Sequence, residues 1–341
     1  MLRRAKFACL FIGCALLTGC PKQQSALDPT GPQAALIDHL FWFIFWVTLV
    51  VYCIVLTVFS VGIGKRRVGK EIPPPMVIHE TKAESPLAMI VAASTLVTVV
   101  LLFIILVKSV QASKWESQAL QSKNPISIQV IGHQWWWEVT YPNTQPDQIV
   151  TTANEIHIPV GVPVVINSTS RDVIHSFWAP NIHGKRDLIP GYNTAVWIQA
   201  DQEGRFRGQC AEFCGHQHAH MAFFIVAESP DKFQQWMQQQ LKPAPDPADP
   251  LATRGKEIFT TRTCVMCHTV RGTDAGSRVG PDLTHLASRE TIASGTLPNN
   301  IGNLAGWITN PQAIKPGNRM PPNPMNSEDL QALLAYLQTL R

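Results

Sequence analysis

The chain has 341 residues, a formal net charge of +4, 15% charged residues and 45% apolar ones. That length admits two or three small domains. So mild a charge, with no run that interleaves Lys/Arg with aromatics, excludes a nucleic-acid-binding stripe.

The N-terminus reads as a targeting segment. Arg3, Arg4 and Lys6 precede the apolar run FACLFIGCALL, which is too short to span a bilayer comfortably. Leu17-Thr18-Gly19-Cys20 closes it and resembles the bacterial lipobox. The resemblance implies a lipoprotein signal peptide over 1–19, a lipid on Cys20 and a periplasmic segment over 20–38. Leu40–Ile63 and Leu87–Val107 contain no Asp, Glu, Lys or Arg, and each exceeds the roughly 20 residues that a bilayer core requires. They predict a transmembrane hairpin over 39–110. Lys65, Arg66, Arg67 and Lys70 place the connecting loop in the cytoplasm, so everything after Lys108 lies outside.

Eight cysteines in an exported chain would suit a disulfide framework. However, Cys9 and Cys14 leave with the signal, Cys20 takes the lipid and Cys53 lies in the first span. Cys210, Cys214, Cys264 and Cys267 remain, two short-spaced pairs among histidines, and ligand chemistry explains them better than bridging does.

Residues 124–241 break into short β-branched or aromatic runs separated by Gly, Pro, Asn and Asp. Alternation at Ile156, Ile158 and Val160, and at Val162, Val164 and Ile166, predicts an antiparallel sandwich or barrel. Ser229 caps a short helix with Pro230 in its first turn. KPAPDPADP, residues 242–250, is a stiff extended linker, expected to let the domain beyond it swing. Residues 251–341 predict a separate all-α domain, with helices opening at Pro250, at Asn300 and at Ser327 as a cap.

Cys264-Val265-Met266-Cys267-His268 is C-x-x-C-H, the c-type haem attachment signature. Its thiols add to the porphyrin vinyl groups and His268 supplies an axial imidazole. No βαβ pattern surrounds it, which counts against a thioredoxin-like pair. A thioether suits the other axial position, because His/Met ligation raises the iron potential, and Met320 and Met325 both offer one. The tail from Arg254 to Leu340 resembles a class I cytochrome c. By that resemblance GPDL at 280–283 is the loop below the proximal histidine, P-G-x-x-M-P selects Met320, and Gly255 and Tyr336 mark a close helix crossing.

The stretch CAEFCGHQHAHM, residues 210–221, packs two cysteines, three histidines, a glutamate and a methionine together. A disulfide gives no reason for the neighbouring His and Met, and structural zinc has little use for Met. Thiolate, imidazole and thioether together select copper and electron transfer. His175 on an upstream strand supplies a further imidazole, which is the cupredoxin arrangement, and two cysteines four residues apart can bridge two coppers.

H…C-x-E-x-C-x-x-x-H-x-x-M is similar, position by position, to the binuclear copper centre of haem–copper oxidase subunit II. The resemblance implies His175 and His218 as imidazoles, Cys210 and Cys214 as bridging thiolates, Met221 as axial thioether and Glu212 as a carbonyl ligand. It also carries the Glu212 side chain to a magnesium shared with subunit I. GHQWWWEVTY at 132–141 resembles the family's aromatic stretch, with Trp136 where Tyr is usual. That match makes Trp135 the exposed indole receiving electrons from cytochrome c, or else one facing the chain's own haem. GKRDLIPG at 184–191 would face the catalytic subunit. The family pattern is not kept around Glu84, which is either the carboxylate at a proton-channel mouth or an interfacial charge. His216 and His220 read as solvated loop polars, and His133, His157 and His183 as hydrogen-bonded structural residues.

These readings describe a multidomain membrane protein: a two-helix transmembrane hairpin, a cupredoxin-like β-sandwich with two copper ions, and an all-α cytochrome c domain with covalent haem c. The expected function is electron input to a respiratory cytochrome c oxidase in the bacterial cytoplasmic membrane, with both soluble domains on the outer face. Electrons would pass from cytochrome c or another periplasmic donor through haem and copper to subunit I. There dioxygen becomes water and protons are translocated, with subunit III a further partner. A copper-containing nitric oxide reductase is the alternative; a quinol oxidase subunit would lack the copper ligands, and a membrane-anchored copper carrier leaves the haem unexplained.

Overall fold

The structure, a computed structural model, describes residues 24–66, 85–119 and 125–341. The signal peptide, Cys20, Arg67, Lys70 and Glu84 lie outside the described residues.

Two helices form one unit. Helix α1 covers Pro32–Arg66 and α2 covers Ser85–Ala119. Both are long and apolar enough to cross a membrane. Phe59 and Phe103 are typical of their surfaces, each 64% exposed. The two helices extend beyond the hairpin expected over 39–110, since α1 is already helical at Pro32 and α2 continues to Ala119. Composition sets which residues meet lipid, whereas the helix ends where its hydrogen bonds end. Pro32 suits a first turn, and no Gly or Pro interrupts Lys108–Ala119.

The other unit begins with a β-sandwich. Its strands are β1 (Ile126–His133), β2 (Trp136–Tyr141), β3 (Val150–Ala153), β4 (Glu155–Pro159) and β5 (Val164–Ser170). They continue with β6 (His175–Trp178), β7 (Arg186–Leu188), β8 (Thr194–Ile198), β9 (Gly204–Cys210) and β10 (Ala222–Glu228). One sheet runs β3-β2-β1-β5-β8 and the other β4-β10-β9-β6-β7. The sandwich is not wholly antiparallel as expected, because β1 pairs parallel with β5 and β10 parallel with β4. Alternation reports which face of a strand is buried and carries no information on its neighbour's direction. Between the sheets lie Ile128, Val130, Trp137, Ile158, Ile166 and Phe223, all fully buried. The rings of Phe177 and Phe223 stack with centroids 4.4 Å apart.

Helix α3 (Pro230–Leu241) follows, its first turn capped by the Ser229 side chain accepting from the Lys232 N–H. Beyond the linker come α4 (Pro250–Thr261), α5 (Ile301–Thr309), α6 (Pro311–Ile314) and α7 (Ser327–Thr339). Among the described residues, the strands of this domain form one short ribbon, β11 (Thr291–Ile292) against β12 (Leu297–Pro298). The cap of α7 is Asn326 rather than Ser327; its side chain accepts from the Asp329 N–H at 2.7 Å. Asn and Ser cap equally well, so adjacent candidates cannot be ranked by type. A β-carbon on Gly255 would sit 1.9 Å from the Ala332 carbonyl oxygen, so only glycine lets α4 and α7 approach this closely.

The linker is not the free arm expected. The Ala244 N–H donates to the Arg271 carbonyl at 2.8 Å, tying it to the helical domain. That domain is joined in turn to the sandwich. The Ala222 N–H donates to the Ser294 carbonyl at 3.0 Å, and the Ser294 hydroxyl donates back to the Ala222 carbonyl at 2.7 Å. Arg278 reaches Glu138 at 3.0 Å, and the Gln217 amide donates to the Pro316 carbonyl at 2.8 Å. Proline content restricts the linker itself, while docking depends on polar partners scattered over the sequence.

Candidate functional site

The chemistry-bearing residues of the sandwich meet at one end. Strand β6 opens with His175, β9 finishes with Cys210, and the intervening loop returns through Cys214 and His218 to Met221, just before β10. Cys210 Sγ and Cys214 Sγ stand 3.7 Å apart. A disulfide would need about 2.05 Å, so these are two free thiols. His175 Nδ1 lies 3.8 Å from Cys210 Sγ and His218 Nδ1 lies 3.6 Å from Cys214 Sγ. Met221 Sδ is 3.9 Å from Cys214 Sγ, and the Glu212 carbonyl is 3.2 Å from Cys210 Sγ. His175, both cysteines and Met221 are buried, while the Glu212 side chain is exposed.

Buried soft donors with no disulfide between them fit soft metal ions. Protonation tells the same story. Hydrogen bonding from Cys214 pulls the Cys210 thiol well below its ordinary range despite burial, and the Cys214 thiol is pushed up by that same shared proton. Two adjacent thiolates cannot both persist without a cation to neutralise them. Asp172 orients one ligand: its Oδ1 lies 2.9 Å from His175 Nε2, which leaves Nδ1 aimed at Cys210. Burial opposes that carboxylate's charge, but bonds from His175 and from the Gln134 and Val173 N–H groups prevail and hold it at about 2.

The helical domain holds a cavity of about 500 Å³ lined by Cys264, Cys267, His268, Trp307 and Met320. His268 Nδ1 donates to the Pro281 carbonyl at 2.8 Å, fixing the ring and leaving Nε2 as the free nitrogen. Burial lowers the His268 pKa and favours the neutral imidazole that a metal needs. A β-carbon on Gly280 would lie 2.8 Å from His268 Cε1, so glycine leaves room for the ring. On the cavity wall, Arg289 Nε and Thr291 Oγ1 are buried without a hydrogen-bond partner among the described residues. Those polar atoms, the two thiols and the imidazole fit a large apolar ring bearing carboxylates. Met320 lines the cavity, whereas Met325 packs against the domain's hydrophobic core.

Trp135 connects the two places. Its ring lines the cavity, and its Nε1–H donates to the Cys214 carbonyl at 2.9 Å. Of the two settings expected for Trp135, the solvent-exposed one is not seen: the residue is 8% exposed, because the helical domain covers it. His216 is exposed as expected, while His133 and His157 pair with Glu138 and Glu228. Sequence reasoning missed Asp172, Arg289 and Trp307. Of these only Asp172 gave a signal, an acid three residues before a candidate ligand.

Two apolar helices long enough to cross a membrane, a cupredoxin-like sandwich with clustered sulfur and imidazole donors, and a helical domain with a C-x-x-C-H cavity define the class: a membrane-anchored electron-transfer protein. Two family models match, one for the periplasmic domain of cytochrome c oxidase subunit II at residues 145–229 and one for cytochrome c at 252–341. Cytochrome c oxidase subunit 2 of Alkalihalophilus pseudofirmus is 36% identical over 335 residues, covering 95% of this chain and 94% of that one. The same subunit of a Bacillus species is 33% identical over 265 residues, covering 72% and 73%. Among solved structures, the periplasmic domain of cytochrome oxidase subunit II of Bradyrhizobium japonicum is 30% identical with a TM-score of 0.33, covering 35% of this chain and 95% of that one. The chain belongs to the cytochrome c oxidase subunit II family, in the form that carries a cytochrome c domain at its C-terminal end.

Proposed function

We propose that this chain is the electron-input subunit of a haem–copper terminal oxidase, receiving electrons in its cytochrome c domain and passing them through a binuclear copper centre to subunit I. The observation that carries the reading is the buried, unbonded Cys210–Cys214 pair, with one imidazole beside each sulfur. Cys264, Cys267, His268 and Met320 would hold haem c, the two cysteines covalently. His175, Cys210, Cys214, His218, Met221 and the Glu212 carbonyl would hold two coppers. When bound, these groups supply one-electron carriers of small rearrangement.

The chain's own residues do the rest. The Pro281 carbonyl and Asp172 hold His268 and His175 in one tautomer each, so ligand geometry need not change with oxidation state. The sandwich interior keeps water from the Cys210 and Met221 sulfurs. Trp135 gives a bonded route from the cavity wall to the Cys214 backbone. The exposed Glu212 carboxylate suits a magnesium shared with subunit I, where dioxygen is reduced to water with proton translocation. Subunit III and a periplasmic donor such as cytochrome c complete the proposed assembly. The hairpin would lie in the bacterial cytoplasmic membrane with both soluble domains on its outer face, behind a lipid on Cys20.

Metal analysis with paramagnetic resonance on the purified chain tests this. Two coppers sharing one unpaired electron and one low-spin haem are expected. Recovery with zinc, or with Cys210 and Cys214 disulfide-linked in the active complex, would overturn it.

A further inference from the structure

Lys315 is a buried lysine at the meeting of the two domains, its pKa drawn down by burial to about 7. It is 2% exposed, and its Nζ donates to three backbone carbonyls: Trp135 at 2.9 Å, His220 at 2.8 Å and Ala293 at 3.1 Å. Trp135 and His220 belong to the sandwich, and Ala293 to the turn joining β11 to β12. Three carbonyl acceptors require three N–H donors, which an ammonium has and a neutral amine lacks. An ammonium withdrawn from water is tolerated where hydrogen bonds replace its hydration, and here they come from both sides of the seam.

The residues that share the clamp matter more than its strength. Lys315 opens the loop Pro316-Gly317-Asn318-Arg319-Met320. The Asn318 side chain donates to the Lys315 carbonyl at 2.6 Å and accepts from the Met320 N–H at 2.8 Å, so the loop is braced from one end to the other. Opposite, Trp135 donates to the Cys214 carbonyl, and His220 immediately precedes Met221. Lys315 therefore grips the Cys210–Met221 loop through its side chain at His220, and the Met320 loop through its own carbonyl, which accepts from Asn318.

We infer that Lys315 is a positioning residue for electron transfer, a three-carbonyl clamp that fixes the Met320 loop against Trp135 and the Cys210–Met221 loop. The inference rests on the haem and copper assignments proposed above. Loss of the side-chain charge leaves three inward-facing carbonyls without that donor, which favours separation of the seam and admits water. It removes no candidate ligand.

The test uses the oxidase complex containing the full chain, wild type against Lys315→Met and Lys315→Gln. Hydrogen–deuterium exchange follows the seam amides of Ala222 and Glu290. Flash photoreduction follows how fast an electron placed on the haem leaves it. In the methionine variant, haem and copper spectra should stay at their wild-type positions, while seam exchange quickens by about tenfold and electron departure slows by about tenfold. The glutamine variant should move both readouts the same way by less, and it decides if methionine prevents folding. Unchanged seam exchange overturns the clamp, and faster exchange with unchanged electron departure overturns the positioning role. Absence of the haem or shared-copper signal from the wild type would defeat the underlying assignment instead. The exchange comparison requires neither signal and still judges the clamp.

Discussion

The Trp135 indole touches the backbone of Cys214 while its ring forms part of the cavity that contains Cys264, Cys267 and His268. One side chain thus borders both candidate redox sites, and the Gln134 amide reinforces it with a 2.8 Å bond to the same carbonyl. Replacing Trp135 with Phe keeps an aromatic ring and removes the Nε1–H. Electron movement from the helical domain to the copper should slow by about tenfold with both absorption spectra intact, read by flash reduction. An unchanged rate would remove Trp135 from the route.

Asp172 controls the tautomer of His175 without being a candidate ligand. Asp172→Asn retains the size but weakens the grip on the ring. Copper affinity should fall by about 10–100-fold, measured by competition with a chelator, with little change in the protein's circular dichroism. Affinity equal to wild type would show that the imidazole needs no external orientation.

Glu138 makes the seam sensitive to acid. Burial opposes its ionisation, but bonds to His133 and Arg278 outweigh that and hold its pKa below the usual value. A carboxylate whose folded pKa is depressed stabilises the docked state fully above its unfolded pKa of about 4.3, and that stability disappears as pH falls through the folded value. Seam-amide exchange in the wild type should therefore accelerate below about pH 4. Glu138→Gln should exchange faster already at neutral pH and lose this acid step. A step of the same size in both proteins would assign the acid sensitivity elsewhere.

Gly255 permits the contact between α4 and α7, and any β-carbon there meets the Ala332 backbone. Gly255→Val should destabilise the helical domain by about 1–3 kcal/mol, measured by denaturant unfolding followed through Trp307 fluorescence. Reduced covalent haem incorporation during expression should accompany it. Wild-type stability would mean that the helices can separate at little cost.

The candidate ligand residues could be picked out because their chemistry is local. C-x-x-C-H states its purpose in five letters, and two cysteines, a histidine and a methionine on one short loop cannot be read as packing. Some strand positions were legible for a similar reason, since burial alternates along β5 and β9. The pairing of β1 with β5 was not, because strand direction is fixed by how the chain passes between sheets. For Trp135 the sequence left two settings open, exposed or facing the chain's own haem, and the choice is made by Lys315 and its neighbours, 180 residues further on. A lysine in a Pro-Gly loop reads as a solvated charge until the fold supplies its carbonyls.

Burial of Trp135 under the Lys315–Met320 loop has a kinetic consequence. Where such an indole faces solvent, each delivery awaits a collision between two molecules, and that frequency varies with concentration and ionic strength. In the proposed route the hop from haem to copper takes place inside one polypeptide, so its rate constant should be first order and indifferent to added salt. Dilution and electrolyte then act only on the earlier meeting, between the helical domain and whatever reduces it.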